Sequence, residues 1–220
     1  MAKKIKALSV ILLYFLYTSG LYMIPIYITG QSIAVFNKFW LCMYFFVADI
    51  LLMCILGIIY NKELVSGFKS LSLTKIEFGI RVWIIGMFIM GISNILITNF
   101  SPITTAGNEE SVKNALSILP LYMAFSTVIY APFVEEIVFR QTLRDLFKNN
   151  VLFMLAAGFL FGGIHVMDFY TSFYDLLFVI PYGALGVCFA YIYSKTNNLT
   201  ISMLLHALHN GLLVIMYFLF

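Results

Sequence analysis

The chain has 220 residues, of which 62% are hydrophobic and only 10% charged, with a mean hydropathy of +0.98 and a formal net charge of +3. Ordinary soluble domains are about 45–50% apolar and about 25% charged, so this composition excludes a water-soluble globular protein. The modest positive charge is a matter of membrane topology and not of affinity for nucleic acid.

Apolar stretches near the roughly 20 residues needed to cross a bilayer recur along the whole length. We read seven, at 7–28, 38–60, 78–99, 116–139, 150–167, 173–194 and 198–219. Lys3, Lys4 and Lys6 precede the first, as in a signal peptide. Its apolar run exceeds the usual stretch of about 7–15 residues and no small-residue cleavage site follows, so it is kept as a span. The second span carries Asp49, expected to be a buried hydrogen-bonding residue facing the bundle, and the third carries Asn94. A solvated outer loop is expected near Gly107–Lys113, with Glu109 and Glu110. Cys42, Cys54 and Cys188 all fall within spans and lack CxxC spacing, which points to packing rather than disulfides or thiolate metal ligation.

With seven spans and a cytoplasmic N-terminus, 11 basic residues fall inside (Lys3, Lys4, Lys6, Lys62, Lys69, Lys75, Arg81, Arg140, Arg144, Lys148 and Lys195) and 2 outside, Lys38 and Lys113. That asymmetry supports the orientation. The expected architecture is an all-α, polytopic helix bundle of about seven spans, with residues 1–220 forming one membrane-embedded domain in the lipid bilayer. The scarcity of soluble loops suits the bacterial cytoplasmic membrane.

Ionisable groups inside a bilayer are costly and mark a working site by default. They gather in three segments. In Glu135-Glu136-Ile137-Val138-Phe139-Arg140, Glu136 and Arg140 are four apart and can pair, while Glu135 is rotated about 100° away and is left for chemistry. Pro132, just upstream, fits a first helical turn or a kink, and either would open backbone groups near the carboxylates. In Phe161-Gly162-Gly163-Ile164-His165, the phenylalanine and histidine share a helix face, and both glycines are expected to admit a neighbouring helix. In His206-Ala207-Leu208-His209-Asn210, His206 and Asn210 project side by side, with His209 displaced around the helix.

Each segment alone has a plain alternative: an interfacial charged turn, a packing histidine, or a polar pair joining two helices. All three plain readings together would have to absorb every histidine in the chain. A hairpin turning at Asn149-Asn150 puts Glu135 and His165 at one depth, each roughly 22 Å from the turn at about 1.5 Å per residue. His206 lies only about two turns into the last span, a mismatch requiring tilt or a re-entrant arrangement.

The ordered trio Glu-Glu-x-x-x-Arg, Phe-x-x-x-His and His-x-x-x-Asn resembles the CPBP family of CAAX-protein endopeptidases and bacteriocin-processing or immunity-associated (Abi) intramembrane proteases. The resemblance covers residues 116–219 as a catalytic core, preceded by three spans in 1–115 without an alignable motif. It implies that Glu135 is the general base activating a water, helped by His165. It further implies that His206 and Asn210 stabilise the oxyanion, with Glu136 and Arg140 in support.

The residues also permit metal catalysis, because Glu135, His165 and His206 resemble a catalytic zinc set with an open position. No metal is firmly assigned and none is required. Asparagine is an unusual zinc ligand, which favours the oxyanion role for Asn210 and a metal-free glutamate mechanism. The leading expectation is an intramembrane endopeptidase acting on a membrane-associated peptide or protein, either CAAX-type or a bacteriocin or pheromone precursor. The alternatives are a non-catalytic immunity or regulatory membrane protein and a proton-coupled transporter using Asp49 and Asn94.

Overall fold

A computed structural model describes residues 1–20, 24, 27 and 37–220, and all regular structure among these residues is helical. The helices are α1 (Ala2–Gly20), α2 (Lys38–Ile59), α3 (Asn61–Lys69), α4 (Leu73–Phe100), α5 (Gly107–Ile118), α6 (Pro120–Leu146), α7 (Asn150–Met167), α8 (Val179–Thr196) and α9 (Leu199–Leu219). A short 3₁₀ turn, Phe173–Phe178, leads into α8. Among the described residues, 6 helices are long and apolar enough to cross a membrane: α2, α4, α6, α7, α8 with its leading turn, and α9. The chain is an all-α, multi-pass integral membrane protein. The span expected at 7–28 begins within α1, and most of its second half lies outside the described residues.

Two boundaries differ from expectation. The fourth span starts at Pro120, because Leu119 breaks from the helical conformation and proline suits a first helical turn. It then continues to Leu146, beyond the expected 139, since the charge of Arg140 is met within the bundle. The expected loop at Gly107–Lys113 is instead the first half of α5, which pairs Glu109 with Lys113 at 2.6 Å and buries Leu116.

The tight turns carry asparagine caps. Asn149 Oδ1 accepts from the amides of Val151 (2.8 Å) and Leu152 (3.1 Å) and starts α7, which makes the α6–α7 hairpin turn where expected. Asn197 closes α8 in the left-handed region at φ 48°, and Asn198 Oδ1 accepts from the Ile201 amide at 3.1 Å to start α9.

Helix α6 is the hub of the main core. Its Tyr130, Val134, Ile137, Val138, Phe139 and Leu143 pack against Tyr14 and Tyr17 of α1, Leu52 and Leu56 of α2, Phe153 and Phe161 of α7, and Ala190 of α8. Asp49 of α2 is fully buried and accepts from Tyr17 Oη (3.1 Å) and Tyr122 Oη (3.0 Å), tying α1, α2 and α6 together. It is the bundle-facing hydrogen-bonding residue the sequence suggests.

Helices α7 and α8 approach closely through Gly158, Gly162, Gly183 and Gly186. The two glycines before His165 are not equivalent, contrary to expectation. A methyl group on Gly162 would meet Val179 O at 2.6 Å and Gly183 N at 3.0 Å, whereas one on Gly163 meets nothing within 4 Å. Gly162→Ala should therefore cost about 1–3 kcal/mol, because backbone atoms cannot move aside. Gly163→Ala should be neutral or stabilising by up to about 1 kcal/mol through helix propensity. Thermal unfolding of both variants in detergent checks the contrast, and equal effects would contradict it.

Candidate active site

Two π-helical stretches in α6, Ser126–Tyr130 and Ile137–Thr142, bracket the α-helical segment Ala131–Glu136 that carries both carboxylates. Such wide turns release backbone carbonyls and are frequent at functional sites. In the first, the amide of Ala131 reaches back to Ser126 O. The next amide in that register would serve Thr127 O, but it belongs to Pro132 and carries no hydrogen. Asn210 fills the gap by donating from Nδ2 to Thr127 O at 2.8 Å. The backbone opening expected from Pro132 thus has a definite place and partner, and one of the two Asn210 amide hydrogens remains uncommitted.

Beside it, the His206 imidazole sits between the two carboxylates. Its Nδ1 lies 3.0 Å from Glu136 Oε1, and its Nε2 lies 3.9 Å from Glu135 Oε2. The first is a hydrogen bond, which fixes the proton on Nδ1, while the second is close approach without one. The ring stacks on Phe189 (5.2 Å between centroids) and meets the edge of Phe161 (5.7 Å). Glu135 therefore does not point elsewhere, as its 100° offset suggested: from opposite sides of one imidazole, both glutamates address the same residue.

Glu136 is engaged twice. The Arg140 guanidinium approaches the same Oε1 at 3.1 Å, and both side chains are fully buried. The expected clamp is present. Its geometry is that of charge proximity rather than aligned hydrogen bonding, since Arg140 Nε, Nη1 and Nη2 have no hydrogen-bond partner among the described residues. The guanidinium instead lies over Phe161 (4.9 Å) and Phe189 (5.7 Å), which add cation–π attraction in a water-poor setting. Glu135 is less enclosed, with 14% of its side chain exposed, and its buried Oε2 has no hydrogen-bond donor among the described residues. A buried carboxylate oxygen without a donor is costly and needs an explanation.

His165 joins this group through Phe161. Its ring packs on Phe161 at 4.5 Å and stacks on Tyr182 at 4.9 Å, with Nδ1 2.8 Å from Phe161 O. That bond places the hydrogen on Nδ1 and leaves Nε2 as the free acceptor. Phe161 thus touches His165, His206 and Arg140 at once, a role the sequence reading gave only to its helix face. Tyr182, Phe189 and the Thr127 carbonyl were not foreseen; of these, only the last had a sequence signal, the proline five residues on. His209 faces away, with its ring 6.4 Å from Trp83 and Nδ1 unpartnered among the described residues.

The depth mismatch of His206 is resolved at the foot of α9. Asn198 is fully buried and donates from Nδ2 to Gly67 O (2.9 Å) and Ser70 Oγ (3.0 Å), both at the end of α3. Leu199, Thr200, Ile201 and Ser202 are buried in turn, and Gly67 lies so close to Thr200 Oγ1 that a methyl group there would collide with it. Helix α3 covers the α8–α9 turn, so α9 begins inside the bundle and carries His206 to the level of Glu136. As to metal, no group of three His, Cys, Asp or Glu side chains able to hold an ion occurs among the described residues. Glu135, His165 and His206 do not fit that requirement as arranged, and no step below passes through a metal.

Comparison with known proteins bears on this constellation. The family model described as Type II CAAX prenyl endopeptidase Rce1-like matches residues 117–212. A Bacillus subtilis protein named "Putative membrane peptidase YdiL" is 24% identical over 192 residues, 86% of this chain and 75% of that one. The Staphylococcus aureus protein named "Membrane-embedded CAAX protease MroQ" is 28% identical over 132 residues, 57% of this chain and about half (51%) of its own length. Residues 117–212 are thus similar to CAAX prenyl endopeptidases, a match just short of half the chain. A third relative, UPF0177 protein YaiH of Lactococcus lactis, is 26% identical over 223 residues, 96% of this chain and 88% of that one. No solved structure matches. The matched residues take in Glu135, Glu136, Arg140, His165, His206 and Asn210 together, and leave α1 to α4 and most of α5 outside.

Proposed function

We propose that this chain is an intramembrane endopeptidase that hydrolyses a peptide bond in a membrane-associated peptide or protein, with Glu135 as general base. The observation that carries the reading is the unpartnered Glu135 Oε2, 3.9 Å from Nε2 of a histidine whose other nitrogen is locked on Glu136. An acceptor held open beside an oriented imidazole suits a water that must lose a proton.

In the proposed reaction, water hydrogen-bonds Glu135 and the free Nε2 of His165. Glu135 takes one proton while the water oxygen bonds to the scissile carbonyl carbon. Negative charge develops on the carbonyl oxygen, and the second amide hydrogen of Asn210 meets it. His206 needs an extra step: with its proton on Nδ1, Nε2 is an acceptor and becomes a donor only after protonation. The proton taken by Glu135 passes to Nε2 across their short separation, and the resulting imidazolium, steadied by Glu136, donates to the oxyanion. That proton is finally delivered to the leaving nitrogen as the C–N bond breaks, giving a new amine and a new carboxylic acid, whose remaining water proton then passes to the free Nε2 of His165 to leave the carboxylate. Arg140 balances Glu136 and so keeps His206 in register.

The substrates in view are prenylated C-terminal peptides, in keeping with the relative named a CAAX protease, and bacteriocin or pheromone precursors, short peptides that reach a membrane. The test is incubation of the purified protein in detergent with both peptide sets, in ¹⁸O-labelled water, with and without a chelator. Mass spectrometry should find one cleavage per substrate, ¹⁸O in the new carboxylate and no loss on chelation. Activity abolished by chelator and restored by zinc would overturn the metal-free mechanism. No cleavage in either panel, with partner binding unaffected by Glu135→Gln, would favour a non-catalytic immunity role instead.

A further inference from the structure

A second polar cavity, of about 540 Å³, lies at the end of the bundle where α1 and α3 begin and α6 ends. Its walls carry Lys3, Lys62, Arg144 and Lys148 against Glu63 and Asp145, and its floor is the buried pair Gln141 and Tyr193, whose hydroxyl donates to Gln141 Oε1 at 2.6 Å. The charges do not cancel. Glu63 is already paired at 3.4 Å with a further cation, Lys6, which also sits over the Tyr60 ring. Lys3, Lys62 and Lys148 have no carboxylate within ion-pair distance among the described residues. Arg144 donates to neutral oxygens alone, Asn150 Oδ1 at 2.7 Å and Lys148 O at 3.3 Å. Four cations thus converge on one concavity with a single unpaired carboxylate, Asp145, among them.

We propose that this cavity binds the phosphate group of an anionic phospholipid of the cytoplasmic leaflet. The volume falls within the roughly 300–1,000 Å³ typical of small-molecule sites. The asymmetry of the basic residues puts this end of the bundle at the cytoplasmic surface, where a basic pocket between spans suits an anionic head group. The cavity spans α1, α3, α6 and the α8–α9 turn, so an occupant would bridge elements outside the family match to those within it. Its floor residue Gln141 directly follows Arg140 in the second π-helical stretch, which brings the head-group site within one residue of the arginine that balances Glu136. The proposal does not depend on peptidase activity.

Native mass spectrometry of the detergent-purified protein with phosphatidylglycerol or phosphatidylcholine tests it. Phosphatidylglycerol should be retained at least about tenfold more strongly. The Lys62→Gln/Lys148→Gln variant, which alters two exposed side chains without hydrogen-bond partners among the described residues, should bind it roughly twenty-five-fold more weakly, at about fivefold per lysine. Lys38→Gln, a charge removed outside the cavity, should change nothing. Equal retention of the two lipids, or unaltered binding by the double variant, would overturn the proposal. Displacement by inorganic phosphate as effective as by phosphatidylglycerol would assign the cavity to free phosphate and refute a lipid ligand. Displacement by a peptide with a free C-terminal carboxylate, and not by its amidated form, would give the site to a peptide and refute it likewise.

Discussion

Glu135→Gln should lower peptide hydrolysis by about 10²–10⁴-fold, the usual contribution of a positioned general base. The protein should fold normally, because among the described residues the carboxylate forms no ion pair shorter than 3.9 Å and its Oε2 has no hydrogen-bond donor. Replacing it by a neutral amide removes a buried charge that no close ion pair among the described residues holds. Unchanged or raised thermal stability together with lost cleavage is the expected signature. A variant with substantial activity would remove Glu135 from the chemistry, and one that fails to fold would make it a structural residue. Single-turnover cleavage and unfolding measured on the same preparation separate these outcomes.

Glu136→Gln should act in the opposite way, through stability first. Glu136 faces both Arg140 and His206 from full burial, so its loss strands a guanidinium inside the bundle. Breaking a buried ion pair by removing one partner costs about 3–5 kcal/mol. Arg140→Met should cost a similar amount, for it leaves the carboxylate with the imidazole alone. The double variant Glu136→Gln/Arg140→Met should recover most of the stability, since a neutral pair of similar volume avoids desolvating two charges. It should not recover activity, because a neutral glutamine can still accept from His206 Nδ1 but lacks the negative charge that steadies the imidazolium. Equilibrium unfolding and cleavage measured on all four proteins form the test, and simply additive losses of stability would contradict the coupling.

Much of this was legible in the sequence because lipid makes charge expensive. The ionisable residues of the site and Asn210 stood out as polar groups in apolar stretches, and the i, i+4 spacing gave the Glu136–Arg140 pair directly. The asparagine turn at 149–150 likewise carries its own cap chemistry. What could not be read was the register of α6. A regular helix sends Glu135 and Glu136 to different neighbours, but two π-helical stretches widen the turns on either side, and both reach His206. The seating of α9 beneath α3 was hidden for another reason. It depends on contacts between Asn198 and Gly67, 131 residues apart, and short polar residues at a turn do not announce a distant partner. The difference between Gly162 and Gly163 was equally out of reach, since only the packing of α8 tells them apart.

Residues 136–143 of α6 are buried without interruption, and Glu135 beside them is only partly open. Among the described residues the Glu136 carboxylate is thus closed to acyl chains and Glu135 nearly so, and a scissile bond meets them largely within protein. A spanning helix keeps its amides and carbonyls bonded along its own axis, and undoing those bonds in hydrocarbon costs several kcal/mol per group. The chains best suited to cleavage here are those that arrive already unravelled: frayed tails, tips of short peptides, or stretches loosened by glycine or proline.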